Sequence, residues 1–194
     1  KELSKATNLT LIELEPEFCG ALKVKYPEAR IINKDVRKVN FSEIGNDLII
    51  FGNLPYVYST DIVFHLIDNR DVIDRAVLLL QQEFSERMAA GPGTKVFGVL
   101  SIATQVWAEL RLGPIIKGDA FVPPTKVNSR LVELKFKKEP RFPIKDLSLF
   151  KKIVRAAFHQ RRKMLANSMS AAGLLPKDQI EALLLASEID PKRR

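Results

Sequence analysis

Cysteine is nearly absent: Cys19 stands alone in 194 residues, so no intrachain disulfide can form. Histidine is almost as scarce, with only His65 and His159, and one thiol with two imidazoles does not make a zinc-type ligand set. No metal site is expected. Long apolar runs are missing too. The best candidates, Ala76 to Leu80 and Leu183 to Ala186, fall far short of the roughly 18 residues that a membrane helix needs, so no membrane span is expected. The first residues, Lys1-Glu2-Leu3-Ser4-Lys5-Ala6, are charged and lack the apolar stretch of a secretory signal, which points to the reducing cytoplasm. With 46% apolar and 28% charged residues, the chain has the composition of one ordinary globular domain, or one domain with a small appendage.

Negative charge is in short supply. Lys and Arg number 31 against 23 Asp and Glu, a net +8, and the excess is local. Between Lys135 and Lys163 lie eleven basic residues and only two acids, Glu139 and Asp146, a net +9, so the rest of the chain is close to neutral. Such a block suits a polyanion, because each neutralised phosphate releases condensed counterions. Basic blocks serve about as often as plain solvated faces, so charge alone does not decide between the two.

The chain alternates between short apolar runs and helical patterns. Leu9 to Leu14 reads as a strand and Glu17 to Tyr26 as a helix. Ala29 to Asn33 reads as a strand closing on Asp35, and Asp47 to Gly52 as another closing on Asn53. Ile62, Val63, Leu66 and Ile67 share a helical face, Arg75 to Leu80 is a buried-strand run, and Glu83 to Ala90 is a helix stopped by Gly91-Pro92-Gly93. Phe97 to Val106 reads as a helix, and Trp107 to Leu112 with Leu131 to Phe136 as an antiparallel pair. Phe121 to Val127 between them is an extended loop stiffened by two prolines. The expected class is α/β, a mostly parallel sheet covered by helices, with ligands at the carboxyl ends of its strands. Glu139-Pro140-Arg141-Phe142-Pro143 reads as a linker, so residues 1–139 form the first domain and residues 140–194 a small helical one.

The most informative element is Asn53-Leu54-Pro55-Tyr56, at a strand end and ahead of Ser59-Thr60, which are placed to cap the next helix. The Asn53 amide oxygen and the Leu54 carbonyl, aligned by a proline-stiffened turn, can accept both hydrogens of an exocyclic amine, while Tyr56 offers a stacking face. That suits a flipped adenine: with both N–H bonds accepted, the pyramidal, nucleophilic amine is favoured without a strong base. Glu13 and Asp35 end two successive strands. In a nucleotide-type fold the first can bind ribose hydroxyls and the second an adenine amino group, although acids end strands for many reasons. Only together with Asn53 do they point to a bound adenosyl moiety.

Asn53-Leu54-Pro55-Tyr56, Gln82-Glu83 with Arg87, the run Phe121 to Ser129, and Phe158-His159-Gln160-Arg161-Arg162-Lys163 with Asn167 occur in an order and spacing that resemble the small-subunit ribosomal RNA adenine dimethyltransferases, over essentially the whole chain. The resemblance implies a Rossmann-like S-adenosylmethionine methyltransferase domain followed by a helical RNA-binding domain. It implies cofactor contacts from Glu13, Leu14, Asp35, Val36 and Asn53, and a catalytic element of Asn53, Leu54, Pro55 and Tyr56. Tyr56 and Phe158 would clamp the target adenine, and Lys126, Arg155, Arg161, Arg162 and Lys163 would contact RNA. The implied reaction is methyl transfer to N6 of two adjacent adenosines in the 3′-terminal hairpin loop of small-subunit rRNA, by a monomer acting on the small subunit or its precursor. Family members carry a strand and a glycine-rich loop ahead of the segment resembling Lys1 to Thr10, and further helical residues after Arg194. The expectation is therefore a part of a longer chain, without the sheet's central first strand; Gly91-Pro92-Gly93 reads as a turn rather than a replacement loop. The rival readings are an adenine methyltransferase for large-subunit rRNA or DNA, and an inactive assembly or transcription factor of the same fold.

Overall fold

The computed structural model describes residues 8–193; Lys1–Thr7 and Arg194, and with them the charged opening residues read above, lie outside the described residues. Strand β1 (Thr10–Glu13) leads into helix α1 (Pro16–Lys25), which starts with proline in its first turn, where the missing N–H costs nothing, and ends on Lys23 and Lys25 against the helix dipole. Strand β2 (Arg30–Asn33) pairs with β1 in parallel, Glu13 opposite Asn33. Two single-turn 3-10 segments follow, Val36–Lys38 capped by the Asp35 side chain and Phe41–Glu43 capped by Asn40. Strand β3 (Leu48–Asn53), a 3-10 turn (Tyr56–Tyr58) and α2 (Ser59–Asp68) come next.

Ser59 does not cap α2 as the sequence suggests. Tyr58 takes the cap position without a side-chain hydrogen bond, and Ser59, buried as the first helical residue, donates its hydroxyl to the Pro55 carbonyl at 3.2 Å. The preceding 3-10 turn runs straight into the helix, and its Tyr56 carbonyl accepts the Ser59 N–H in place of a side-chain cap.

Strand β4 (Ile73–Gln81), α3 (Gln82–Ala89), α4 (Val99–Trp107), β5 (Ala108–Ile116) and β6 (Ser129–Phe136) complete a four-stranded sheet in the order β3-β4-β6-β5. The β3–β4 ladder is parallel, and both ladders of β6 are antiparallel. Trp107 ends α4 rather than opening β5, and β5 continues past the expected Leu112. Pro114 brings no N–H to the ladder, so the register shifts between Leu112 and Ile115, and the strand resumes beyond the irregularity. Among the described residues the β1–β2 pair is not hydrogen-bonded to the larger sheet; it is joined to it through packing. Val39 and Phe41 sit in the main core with Ile62, Val63, Leu66 and Ile67 of α2 and Ala76, Leu78 and Leu80 of β4. The His65 ring nitrogen Nε2 lies 2.9 Å from the Val39 carbonyl oxygen. Each fully buried valine, leucine or isoleucine side chain of this set contributes about 1.5–3 kcal/mol.

A second, smaller core unites Ala156 of α5 (Leu147–Ala157) with Ala166 and Met169 of α6 (Leu165–Ala171) and Ile180 and Leu184 of α7 (Lys177–Ala186). Helix α5 belongs to both bodies. Leu147 and Phe150 at its start, with Ile144 before it, pack on the main core, whereas Ala156 near its end lies in the second. It carries its basic side chains from one edge of the sheet towards the other.

Candidate active site at the carboxyl ends of the strands

Glu13, Asp35 and Asn53 close β1, β2 and β3 or directly follow them, which makes the strand tips the place to look for chemistry. Oε1 of Glu13 accepts the backbone N–H groups of Leu14 at 2.7 Å and Glu15 at 3.0 Å, while Oε2 makes no hydrogen bond among the described residues. The side-chain amide of Asn33 donates to the carbonyls of Glu13 and Leu14 at 3.0 and 2.7 Å, which fixes the tip of β1 against that of β2. Leu14 is exposed and Val36 half-buried.

Asp35 is bound tightly by a residue that the sequence reading passed over. Arg37 donates its backbone N–H and Nε to Oδ1 at 2.9 and 3.0 Å, and Nη2 to Oδ2 at 2.6 Å. These bonds, the guanidinium first and the backbone N–H second, lower the Asp35 carboxyl to about 2. A carboxylate offers about four lone-pair positions, so three N–H groups leave room for one more donor. The guanidinium also lies 4.0 Å from the centre of the Tyr58 ring and 3.7 Å from the Asp61 carboxylate. Arg37 thus ties the tip of β2 to the segment after β3 and brings Asp35 and the Asn53 turn to one edge.

Asn53 is exposed, in register with Leu79 of β4, and its carboxamide makes no hydrogen bond among the described residues. The Leu54 N–H donates to the Leu79 carbonyl at 3.3 Å, which anchors the turn, and the Leu54 carbonyl accepts from no backbone N–H among the described residues. Pro55 holds φ at −63°, and its carbonyl accepts the Tyr58 N–H at 3.1 Å. Two acceptors at one strand tip are therefore unspent. The Tyr56 hydroxyl is 2.7 Å from Oγ of Ser129 on β6, a contact across 73 residues that fixes the far end of the ring.

Phe158 caps the end of α5, where its ring meets that of Phe97 edge-on at 5.7 Å between centroids; its aromatic partner is Phe97, not Tyr56. Arg161 is already committed. Its guanidinium donates to the carbonyl of Phe97 at 2.7 Å and to that of Lys95, which fastens the segment before α4 to the segment after α5. Lys126, Arg155, Arg162 and Lys163 are exposed and form no ion pair among the described residues. Sequence reasoning missed Arg37, Tyr58, Phe97 and Ser129. The only local cue was the two-residue spacing of Asp35 and Arg37, which lets one side chain fold back on the other. Among the described residues there is no helix long and apolar enough to cross a membrane and no group of three or more side chains that could hold a metal ion.

The family model described as ribosomal RNA adenine dimethylase matches residues 2–194. The chain is 37% identical over 195 residues to ribosomal RNA small subunit methyltransferase A of Syntrophotalea carbinolica, covering 99% of this chain and 74% of that one. It is 38% identical over 179 residues to the protein of the same name from Bacillus cytotoxicus, covering 87% of this chain and 61% of that one. Among solved structures, a dimethyladenosine transferase from Plasmodium falciparum superposes with a TM-score of 0.80 at 22% identity, covering 99% of this chain and 78% of that one. The 23S rRNA methyltransferase ErmE superposes at 0.71 and 21%, covering 100% and 78%. The two structures share the Rossmann-like methyltransferase fold, and the sequence matches reach further: the chain belongs to the ribosomal RNA adenine dimethylase family, enzymes that use S-adenosylmethionine.

Proposed function

We propose that this protein dimethylates N6 of two adjacent adenosines in the 3′-terminal hairpin loop of small-subunit rRNA, working as a cytoplasmic monomer on the small subunit or its precursor. The observation that carries the reading is the pair of unspent acceptors at the tip of β3, the exposed Asn53 carboxamide and the neighbouring Leu54 carbonyl. The relatives from Syntrophotalea and Bacillus carry the small-subunit name.

The residues present fit the cofactor's adenosine half: Glu13 has a free carboxylate oxygen for a ribose hydroxyl, and Asp35 one remaining acceptor position for an adenine N–H. The backbones of Leu14 and Val36 lie beside them. When bound, S-adenosylmethionine supplies an electrophilic methyl carbon on sulfonium. Everything else falls to this chain. Oδ1 of Asn53 and the Leu54 carbonyl each accept one hydrogen of the target amine, which favours its pyramidal form and aims its lone pair. Tyr56, fixed through Ser129, and Phe158, backed by Phe97, hold the extruded ring from its two faces. An amide is no base at neutral pH. The alkylated amine keeps its N–H hydrogen-bonded to the Asn53 and Leu54 oxygens until the proton passes from nitrogen to water. Arg162, Lys163, Arg155 and Lys126 contact RNA phosphates, while Arg161 holds the loop behind Phe97 and so keeps Phe158 in place.

The test is methyl incorporation into small subunits lacking the modification, with the modified positions mapped by mass spectrometry. Two neighbouring dimethyladenosines in the 3′-terminal hairpin are expected. Label confined to large-subunit rRNA or DNA, or none with correctly folded protein, contradicts the reading.

A further inference from the structure

On the side of the sheet away from Asn53, Arg70 after α2, Trp107 at the end of α4 and the segment from Lys138 to Leu147 at the start of α5 frame an open cavity of about 510 Å³. Its walls include Arg70, Trp107, Lys138 and Lys145, with Glu139 as the one acid. The cavity is a built feature. Lys137, directly after β6, and Arg141 four residues on donate their N–H groups to the carbonyls of Trp107 and Val106 at 2.8 and 2.9 Å, which straps this segment to the end of α4. The Arg70 guanidinium lies 3.7 Å from the centre of the buried Trp107 ring and spends Nη1 on the Ile67 carbonyl at 3.2 Å, while its buried Nε has no partner. Lys138 and Lys145 are exposed and form no ion pair among the described residues. Three cations against one carboxylate call for an anion with several acceptor oxygens.

We propose that this cavity is a second RNA-binding site, which takes backbone phosphate from a part of the substrate remote from the methylated loop. RNA is favoured over an acidic protein because the site opens at the foot of α5, from which the exposed cations Lys152 and Arg155 lead to the segment of Phe158 and Arg162. The nine residues of β4 separate the two edges by about 26 Å. An RNA that fills both sites is therefore a folded assembly and not an isolated loop, so the enzyme recognises its substrate at two points. This inference rests on the RNA substrate proposed above.

The test is equilibrium binding of the wild type and of the double variant Lys138→Ala/Lys145→Ala to two RNAs across a salt series. One is a minimal target hairpin with a stem of about four base pairs, no more than about 14 Å even at the 3.4 Å per pair of B-form duplex. The other is intact small-subunit rRNA. The variant is expected to bind intact rRNA more weakly, with a log–log salt slope reduced by about two, and to bind the hairpin as the wild type does. Inorganic phosphate is expected to compete with intact rRNA in the wild type and much less in the variant at matched ionic strength. An unchanged slope and affinity for intact rRNA overturns the proposal, as does an equal loss on both RNAs. Failure of the wild type to methylate small subunits lacking the modification would instead count against the proposed substrate.

Discussion

Asp35 holds three hydrogen bonds from a single neighbour, and its acidity follows from them. Arg37→Ala removes the side-chain donors and leaves the backbone N–H. The Asp35 carboxyl, at about 2 in the wild type, should then rise towards the ordinary value of about 3.9 in an NMR titration. A midpoint still near 2 would mean that Arg37 is not the cause. The sign for stability follows from linkage. A carboxyl depressed in the folded state stabilises above its unfolded value near 4, and that contribution is lost as the pH falls through about 2. The variant should therefore be less dependent on pH in that window. Asp35 itself was legible as a strand-end acid. The Arg37 stack on Tyr58 was not, because a contact between two loops 21 residues apart leaves no periodic trace in the sequence. Asn53 was legible for the opposite reason: its role needs only its own amide and the next carbonyl.

Elements defined by their own pattern were readable. The amphipathic face of α2 and the apolar run of β4 stand where their spacing puts them, since burial of one stripe or of a whole strand fixes each locally. Less legible were the features set by partners, such as the extension of β5 past Pro114 and the separation of β1–β2 from the main sheet. The loop between β5 and β6 is a similar case. Gly118 is buried, the Thr125 N–H donates to its carbonyl at 3.0 Å, and a Cβ on Gly118 would collide with the Thr125 carbonyl oxygen. Gly118→Ala should lower stability in chemical denaturation by about 2 kcal/mol or more, because the clash is with backbone and the loop must open to relieve it. A change within about 0.5 kcal/mol would show that the loop does not close this tightly.

At the scale of the molecule, the basic block that gives the chain its net charge is carried on α5 and its flanks, which span both cores. The ion pair of Lys151 with Asp68 at 3.0 Å also joins α5 to α2, but as an exposed pair it is worth only about 0–1 kcal/mol, so apolar packing of Leu147 and Phe150 does most of the docking. Exposed cations beyond it remain for RNA. Arg162→Ala should weaken RNA binding and reduce the salt slope by about one; an unchanged slope would place Arg162 outside the interface. The central claim is that the Asn53 amide acts on the amine in the transition state and does not serve to bind RNA. Its most direct test compares single-turnover methyl transfer with RNA affinity in Asn53→Ala. The expected result is a rate lower by about a hundredfold or more with affinity held within about twofold. A rate and an affinity that fall together, or a rate that does not fall, would contradict it.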